Sequence, residues 1–220
     1  MAAILHMTPD EMLTTTRTVR KRLDLDRPVP RQVIQECLEI AFQAPNGSNM
    51  NSWQWVVVDD PATVRLCAQI YREGMKDFVA SMGSATGERY VGAQIPGAQA
   101  ISESVEHLRA NMDRMPALLF PLIGGRTEGK DLAHQASMWG SVLQAVWSFM
   151  LAGRTRGLGS AWTTVHLMRE KEMADLLGIP QAQYTQVGLF PIAYTKGTDF
   201  KPAWRKPAAE VVSWNRFGDR

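Results

Sequence analysis

The amino-acid sequence predicts a single α+β or α/β domain in which helices cover a central sheet. Helix-like and strand-like apolar segments intermix along the chain, as they do in such folds. The 220 residues are 45% hydrophobic and 21% charged, which is enough apolar material for a substantial core. The chain contains no internal repeat and no linker, so we expect residues 1–220 to form one domain.

The first part of the chain predicts two helices, a strand and a third helix. Thr8 and Glu11 form a capping-box pattern, and the helix that starts there is expected to continue through "MLTTTRTVRKR". A second helix follows in "PVPRQVIQECLEIAFQAP" and is stopped by Pro45. Residues 53–58 predict a strand, and residues 62–79 predict the third helix.

The second part begins with residues 81–97, which are rich in glycine, serine and other small residues. This composition is typical of a mobile loop or a substrate lid. A helix over roughly 98–112 and a buried strand in "PALLFPLIGG" follow. After a long helix at 131–153, "GLGSAWTTV" predicts a strand, residues 169–177 a short helix, and "YTQVGLFPIAY" the last core strand.

The helix predicted over residues 131–153 is apolar on two faces. One apolar seam consists of Leu132, Ala136, Trp139, Leu143, Val146 and Met150. A second seam beside it consists of Met138, Val142, Ala145 and Phe149. Such a helix is buried between two bodies. The second body is either another subunit or the rest of the same chain, and the pattern leaves both open.

The C-terminal tail, from about residue 196 onward, combines three prolines and several basic residues with apolar anchors. These anchors are Phe200, Trp204, Val211, Val212, Trp214 and Phe217. A disordered tail would have few such residues, so the pattern predicts an extended arm that packs on another surface.

Composition also excludes several classes of function. The net charge of +2 is too small to favour nucleic acid or a membrane surface as a partner. Cys37 and Cys67 lie in helix-like segments without metal or disulfide spacing, which indicates a reducing compartment. The N-terminal residues do not resemble a signal peptide, and no apolar stretch is long enough to span a bilayer. We therefore expect a cytoplasmic protein.

Most familiar catalytic motifs are absent from the sequence. The four histidines, His6, His107, His134 and His166, are scattered without the spacing of a metal site or a nucleophile triad. The glycine-rich "GRTRGLGSA" leads from a helix into a strand, which is the wrong order for a dinucleotide fingerprint. We expect neither a bound metal nor a Rossmann-type NAD site.

Two basic clusters are candidate anion sites. The first is Arg17, Arg20, Lys21 and Arg22, with Thr18 among them; helical spacing would make Arg17 and Lys21, and likewise Thr18 and Arg22, neighbours. The second is Lys201, Arg205 and Lys206. A phosphate dianion needs several charge-assisted donors, and arginine supplies them in a fork that fits its oxygens. The alternative is that both clusters are solvated surface charge.

The run "PNGSNMN" places short amides and hydroxyls between a helix end and a strand start. A planar polar heterocycle such as an isoalloxazine is recognised by amides and by close backbone approach, which short side chains permit. The alternative is a plain polar loop, since Asn-Gly is a common turn.

Four segments, in order, resemble the nitroreductase family of flavin-dependent oxidoreductases. They are "TRTVRKRLDLDRPVP", "APNGSNMNSWQWVVVDD", "GLGSAWTT" and "RKPAAEVVSW". The chain departs from the family pattern at Thr16, where an arginine is common, and at Thr18, which replaces a serine but keeps the hydroxyl. Asn46-Gly47 and Asn51-Ser52 replace a serine pair and a Gln-Pro pair.

The resemblance implies an α+β fold with a central mixed, mainly antiparallel sheet flanked by helices. It implies an intertwined homodimer with FMN at the interface, in which helix 131–153 is the dimer core. The C-terminal arm, about residues 196–220, would extend over the partner subunit.

The resemblance also implies a set of FMN contacts. The phosphate would be held by Arg17, Thr18 and Arg205. Arg20 would lie near the N1/O2 edge of the flavin ring. The ring and ribityl group would be met by Asn49 and Asn51, and the ring would be lined by Pro45, Asn46 and Gly47. The backbone near flavin N5 would be that of Thr163, Thr164 and Val165.

The implied activity is hydride transfer from NAD(P)H through flavin N5 to nitroaromatic, quinone or similar small-molecule acceptors, by a ping-pong mechanism. No catalytic side chain is expected, because the cofactor carries the chemistry. Alternatives are a flavoenzyme of the same fold with different chemistry, such as a reductive dehalogenase or a flavin-cleaving enzyme, and a flavin-binding protein without turnover. A basic nucleic-acid-binding protein is disfavoured by the low net charge.

Overall fold

A computed structural model of the chain describes residues 4–81 and 97–219. Its centre is a five-stranded sheet in which every pair of named strands is antiparallel. The strands are β1 (Trp53–Val58), β2 (Ala117–Gly124), β3 (Leu158–Ser160), β4 (Tyr184–Gln186) and β5 (Phe190–Tyr194). They are ordered β1-β2-β5-β3, and β4 pairs with the end of β2. The expected mainly antiparallel sheet is confirmed.

Helices cover this sheet on both faces. The α-helices among the described residues are α1 (Pro9–Thr15), α2 (Arg31–Ala41), α3 (Pro61–Ser81), α4 (Ala98–Asn111), α5 (Leu132–Thr155), α6 (Glu170–Leu177) and α7 (Ala208–Val211). Short 3-10 helices occupy Gly47–Asn49, Met112–Arg114 and Val165–Arg169. The predicted lid lies outside the described residues except at its two ends.

Strand β2 explains why the sheet is the middle layer. Ala117, Leu119 and Ile123 face the core cluster built with α2 and α5. Leu118 and Phe120 face the opposite cluster, built with α3. Both faces of the strand are therefore buried, and its sequence is a continuous apolar run instead of an alternating one.

Helix α5 is buried on one face only in the single chain. Val142, Val146 and Phe149 are almost completely buried against the sheet and α2. On the outer side Leu132 is 82% exposed and Trp147 is 39% exposed. The second predicted seam is confirmed by the burial of Val142, Ala145 and Phe149. In the first predicted seam Val146 is buried, and Trp139, Leu143 and Met150 pack partly buried against the same core, whereas Leu132 and Ala136 are exposed.

The first helix is shorter than the sequence predicted. It has the expected capping box between Thr8 and Glu11, but it ends at Thr15 instead of continuing to Arg22. The hydroxyls of Thr14, Thr15 and Thr16 each bond back to the carbonyl four residues earlier, at 2.6 Å. Such hydroxyl bonds and β-branching both weaken a helix. The prediction that Arg17 and Lys21 are helical neighbours was therefore wrong.

Two predicted strands were also too long. Strand β3 stops at Ser160, and the chain turns into a 3-10 helix at Val165. The predicted last strand is divided into β4 and β5, and the indole of Trp162 packs directly on Gly188 between them. A Cβ at Gly188 would lie 2.4 Å from the indole nitrogen, so the division depends on a glycine that sequence periodicity does not mark.

The two cysteines, Cys37 and Cys67, are buried and free, and burial raises the pKa of Cys37 to about 11 and that of Cys67 to about 12. No helix among residues 4–81 and 97–219 has both the length and the apolar character that crossing a membrane would need.

An ion pair ties α6 to the sheet. Arg126 donates to both oxygens of Glu170, at 2.7 and 2.8 Å, and Glu170 also accepts from the backbone of Gln186. Burial alone would raise the pKa of Glu170, but the hydrogen bond and charge of Arg126 outweigh burial and lower it. Because the folded-state pKa is depressed, this stabilisation is present above the unfolded-state pKa and is lost as the pH falls through the folded-state value.

We expect Glu170→Gln to lower the free energy of unfolding at pH 7 by about 2 kcal/mol, since a half-buried charge-assisted bond is lost. The variant should also lose less stability than the parent when the pH falls below about 4.3. Urea unfolding at several pH values measures both effects. The matched control is Glu128→Gln: Glu128 contacts the same Arg126, but its side chain is 64% exposed, so its loss should cost little. Equal losses in the two variants would contradict the assignment.

Candidate functional site

The two basic clusters of the sequence line one open cavity of about 950 Å³. Its basic residues are Arg17, Arg20, Lys21, Arg22, Lys201, Arg205 and Lys206. Asp199 is the one acidic residue among the described residues that line it, and that carboxylate is already bound by Arg22 at 2.7 Å. The cavity therefore has a large excess of positive charge and suits an anion.

The N-terminal side of the cavity is fixed by the sheet. After α1 ends, the backbone of Val19 donates to Ser160 of β3 at 2.8 Å, and Leu23 bridges to Thr195. Val19 and Leu23 are buried, whereas Arg17 and Thr18 are exposed. An extended segment anchored by its apolar residues thus presents Arg17 and Thr18 to the cavity.

The C-terminal side is held by arginines that bond to backbone carbonyls. Arg22 donates to the carbonyls of Lys196 and Asp199 at 2.8 and 3.0 Å. Arg17 reaches the carbonyl of Lys201 at 3.2 Å, so the start of the arm lies directly against the N-terminal segment. Arg205, a few residues further on, lines the same cavity.

Phe200 is the apolar anchor of this arrangement. The guanidinium carbons of Arg22 and Arg154 lie 4.2 and 4.9 Å from the centre of its ring. Cation–π contacts at these distances contribute roughly 0.5–1 kcal/mol each at partly exposed sites. Sequence reasoning identified Phe200 as an anchor but missed Arg154. The feature that could have revealed Arg154 is a single charged side chain at the end of an apolar helix.

Arg20 is a partly buried cation of the cavity wall. Its guanidinium donates to the hydroxyl of Ser104 on α4 at 3.2 Å. Burial lowers the pKa of Arg20, and the nearby Tyr71 opposes this shift. Arginine remains a cation nonetheless, and a partly desolvated cation acts more strongly on nearby negative charge than one in water.

Lys21 has a different environment. It pairs with Glu103 at 2.9 Å, and both side chains are about half exposed. Such an exposed pair is weakly stabilising, and Glu103 competes with an anion for Lys21.

The polar loop that contains Pro45, Asn46, Gly47, Asn49 and Asn51 is ordered by its own amides. The side chain of Asn46 accepts from the backbone of Asn51 at 2.9 Å, and the Asn51 side chain donates to the carbonyl of Asn49 at 2.8 Å. Ser48, Asn49 and Asn51 all have φ near +52°. Left-handed backbone is uncommon outside glycine, and it is tolerated best by asparagine.

This loop lies on α5. The backbone of Gly47 donates to Ser141 at 2.8 Å, and a Cβ on Gly47 would lie 2.8 Å from the hydroxyl of Ser137. The glycine therefore permits close contact between the loop and the helix.

The loop and the basic cavity are apart in one chain. Gly47 contacts α5 at Ser141, whereas Arg17 and Phe200 lie against Gly153 and Arg154 near its C-terminal end. Twelve residues separate the two positions, or about 18 Å at 1.5 Å per residue. No residue from 45 to 51 lines the basic cavity. A single chain thus brings Arg17, Thr18, Arg20 and Arg205 together and leaves the loop elsewhere.

The segment of Thr163, Thr164 and Val165 follows β3 on the cavity side of the sheet. Thr163 exchanges backbone bonds with Leu189 at 3.0 and 2.9 Å, which fixes its position. It lies three residues after Ser160, whose carbonyl accepts from the backbone of Val19, so the Cα of Thr163 is within about 10 Å of the Cα of Ser160. It does not line the basic cavity itself.

Among the described residues, no three His, Cys, Asp or Glu side chains come close enough together to hold a metal ion. His166 is fully buried, and burial lowers its pKa to about 3, so its ring is neutral near pH 7. It packs edge-on against Phe120 and lies outside the basic cavity.

The family model described as Nitroreductase family matches residues 13–194. The chain belongs to the nitroreductase family. The match spans most of the chain and includes the N-terminal basic segment, the polar loop and all five strands.

This nitroreductase-family chain is similar to several characterised proteins. It is 28% identical over 200 residues to an NADH dehydrogenase of Thermus thermophilus, covering 85% of this chain and 87% of the relative. The fold matches that of an FMN- and NADPH-dependent nitroreductase, NfnB, from Sphigopyxis sp. strain HMH, with a TM-score of 0.67, 23% identity and coverage of 96% and 100%.

A third similar fold is an iodotyrosine deiodinase bound to FMN and 3-iodo-L-tyrosine, with a TM-score of 0.61, 21% identity and coverage of 92% and 96%. The family and the Thermus thermophilus relative support an oxidoreductase. The identities of the two solved structures are low, so they establish the fold alone.

In this nitroreductase-family protein, helix α3 supports the 163–165 segment through a glycine. A Cβ on Gly74 would lie 2.3 Å from the carbonyl oxygen of Val165. We expect Gly74→Ala to destabilise the protein by about 1–3 kcal/mol, because the helix and the segment must separate. The control is Gly153→Ala in α5, where the nearest atom is 3.5 Å away and alanine should be neutral or stabilising. Urea unfolding compares the two, and similar effects would show that Gly74 is not a packing constraint.

Proposed function

We propose that this protein is an FMN-dependent oxidoreductase that uses NAD(P)H to reduce nitroaromatics, quinones or related small acceptors in a ping-pong reaction. The observation that carries the proposal is the basic cavity, where Arg17 and Arg20 meet Arg205 from the other end of the chain. Membership of the nitroreductase family makes a flavin nucleotide the anion to consider first.

The charges of the cavity fit a flavin nucleotide. Arg22 is paired with Asp199 and Lys21 with Glu103. The other five cations of the cavity have no carboxylate partner among the described residues: Arg17, Arg20, Lys201, Arg205 and Lys206. A phosphate dianion at Arg17, Thr18 and Arg205 would satisfy this excess through charge-assisted bonds. The donors lie in an open cavity, as binding of a large cofactor requires.

Arg20 is suited to the polar edge of the ring. When bound, FMN supplies the hydride and electron transfer, while the protein orients the ring and tunes its charge. A partly desolvated guanidinium stabilises negative charge on that edge more strongly than a solvated one would. No nucleophile or general base is needed from the chain, so we assign no catalytic side chain.

We propose that the site is completed by a second copy of the chain. Pro45, Asn46, Gly47, Asn49 and Asn51 would then meet the cofactor held by the partner's basic cavity, since about 18 Å separates the two regions within one chain. The homodimer would also cover exposed apolar surface: Leu132 on α5 is 82% exposed, and Trp214 and Phe217 on the arm are 71% and 104% exposed. Apolar patches of this kind mark interaction surfaces.

Thr163, Thr164 and Val165 complete the proposed cofactor contacts from the sheet side, through their backbone. Their anchoring to Leu189 and their support by Gly74 hold this backbone rigidly. A rigid backbone can hold a reacting ring atom in one fixed orientation.

A second candidate activity is reductive dehalogenation, favoured by the similar fold of the deiodinase. A flavin-cleaving enzyme and a flavin binder without turnover are the remaining alternatives. A screen of acceptors distinguishes reductive dehalogenation from nitroreduction, because a dehalogenase releases halide from a halogenated aromatic substrate and a nitroreductase does not.

The function is tested by anaerobic reduction of the purified protein. We expect a yellow protein that releases FMN on denaturation, whose visible absorbance is bleached by NADPH or NADH and restored by a nitroaromatic or a quinone. Steady-state double-reciprocal plots should be parallel, because the two substrates use the site in turn. Flavin that NAD(P)H does not bleach would favour a non-catalytic binder. A colourless protein that cannot be reconstituted with FMN would overturn the cofactor assignment.

The phosphate contact is tested by Arg205→Ala. Loss of one charge-assisted bond should weaken FMN binding by at least tenfold, or about 1.5–3 kcal/mol. The free energy of unfolding of the flavin-free protein should change little, because Arg205 is exposed. The control is Arg65→Ala, an exposed arginine of α3 outside the cavity, which should keep its FMN.

The two-chain site is tested with Arg205→Ala in mixed dimers. Gly47→Leu should displace the polar loop, because even a Cβ would lie 2.8 Å from Ser137. A dimer of one Arg205→Ala chain and one Gly47→Leu chain can be purified through two different tags. In this dimer one site has both a native basic cavity and a native polar loop, and the other site has neither. The mixed dimer should bind about one FMN, whereas each variant homodimer binds little. Mixed dimers that bind no more than the homodimers would show that one chain supplies the whole site.

A further inference from the structure

Arg154 is a buried cation that the proposed flavin site does not use. It lies near the C-terminal end of α5 and is 6% exposed. One of its nitrogens, Nη2, donates to the carbonyl of Thr198 at 2.7 Å. Its Nε and Nη1 are buried and have no hydrogen-bond partner among the described residues.

The charge of Arg154 is also uncompensated. No carboxylate forms an ion pair with it among residues 4–81 and 97–219, and the charged group that acts on it is Arg22, which repels it. The nearby Arg156 shows the ordinary arrangement, because it pairs with Glu36 at 3.4 Å. Buried charges without a partner cost several kcal/mol, so they are normally paired.

Arg154 lines a small cavity of about 20 Å³. Its wall is mostly apolar and includes Phe149, Leu158 and Ile192. Thr15 and Thr16 also line the wall, but their hydroxyls are bonded to carbonyls of α1. The hydroxyl of Ser160, in contrast, is buried and has no partner among the described residues. A volume of this size holds one water-sized particle.

The small cavity is next to the basic cavity but separate from it. The two share Arg17, Val19 and Phe200 in their walls. A phosphate group is too large for a volume that admits one water-sized particle. The small cavity therefore needs an occupant other than the phosphate of the proposed cofactor.

We propose that this cavity is a binding site for a monatomic anion, chloride in the cell, held by Arg154 and Ser160. The anion accepts bonds from Nε and Nη1 of Arg154 and from the hydroxyl of Ser160, which satisfies every orphaned donor in the wall. A water molecule would satisfy the same donors but would leave the buried charge uncompensated. Arg17 and Arg22 nearby add to the positive potential.

Bound chloride would join three parts of the fold. Arg154 belongs to α5 and Ser160 to β3, and Arg154 also holds the carbonyl of Thr198 at the start of the arm. The ion therefore stabilises the folded chain whether or not flavin is present, and its test does not depend on the proposed function.

The test replaces sodium gluconate with sodium chloride at constant ionic strength in phosphate-free buffer, with the protein as purified. A specific site raises the melting temperature by roughly 3–6 °C for each tenfold rise in chloride above its dissociation constant. Crystals soaked in bromide should show an anomalous peak between Arg154 and Ser160. Equal melting temperatures in the two salts, together with no bromide peak, would overturn the proposal and assign the cavity to water.

Variants connect the effect to the site. Arg154→Met should abolish the difference between chloride and gluconate, and Ser160→Ala should weaken the apparent chloride affinity several-fold. The matched control, Arg156→Met, removes an arginine two residues away and should keep the full chloride effect. A chloride effect that persists in Arg154→Met would place the ion elsewhere and refute the assignment. Should Arg154→Met not fold, Ser160→Ala and the bromide peak in the parent protein still decide the matter.

Discussion

The meeting of the two chain ends depends on guanidinium groups that bind backbone carbonyls. Arg22 and Arg154 hold the carbonyls of residues 196, 198 and 199 and enclose the ring of Phe200 between them. Carbonyl dipoles satisfy the donors of an arginine without neutralising its charge. Arg17 donates to the carbonyl of Lys201 and has no carboxylate partner among the described residues, so it attaches the arm and keeps its positive charge in the cavity, whereas Arg22 is also paired with Asp199. In the proposed site, Arg17 would therefore serve both attachment of the arm and binding of an anion.

Helix α5 sets the distance between the two halves of the proposed site. The polar loop rests on Ser141, and the arm and N-terminal segment rest near Gly153, about 18 Å further along the axis. A packed helix does not bend enough to bring these positions together. The described part of the chain leaves Leu132 and Trp147 of this helix exposed, so the helix that separates the halves also offers apolar surface to a second copy. One constraint thus leads to both the incomplete site and the proposed homodimer.

The sequence predicted features that depend on local patterns better than features that depend on contacts between residues far apart along the chain. The period of α5 and the continuous apolar run of β2 reflect burial and were readable from the sequence, as was the capping box of α1. The end of α1 at Thr15 was missed although its cause is local, because helical periodicity takes no account of the threonine hydroxyls that bond to carbonyls four residues earlier. The split between β4 and β5 depends on Trp162, which lies more than 20 residues earlier. The role of Arg154 was hidden for the same reason, since its partner carbonyl is 44 residues away.

The polar loop carries a conformational cost that its own chain does not repay with buried contacts. Non-glycine residues in the left-handed region cost roughly 1–3 kcal/mol each, and Ser48, Asn49 and Asn51 all adopt it. The mutual bonds of Asn46 and Asn51 and the bond from Gly47 to Ser141 offset part of this cost, yet Asn49 and Asn51 remain exposed. A plain connection between α2 and β1 would use less strained backbone. Backbone amides and short side chains held in a fixed, exposed arrangement suit a rigid planar ligand, which in the proposed homodimer would be the cofactor held by the partner's basic cavity.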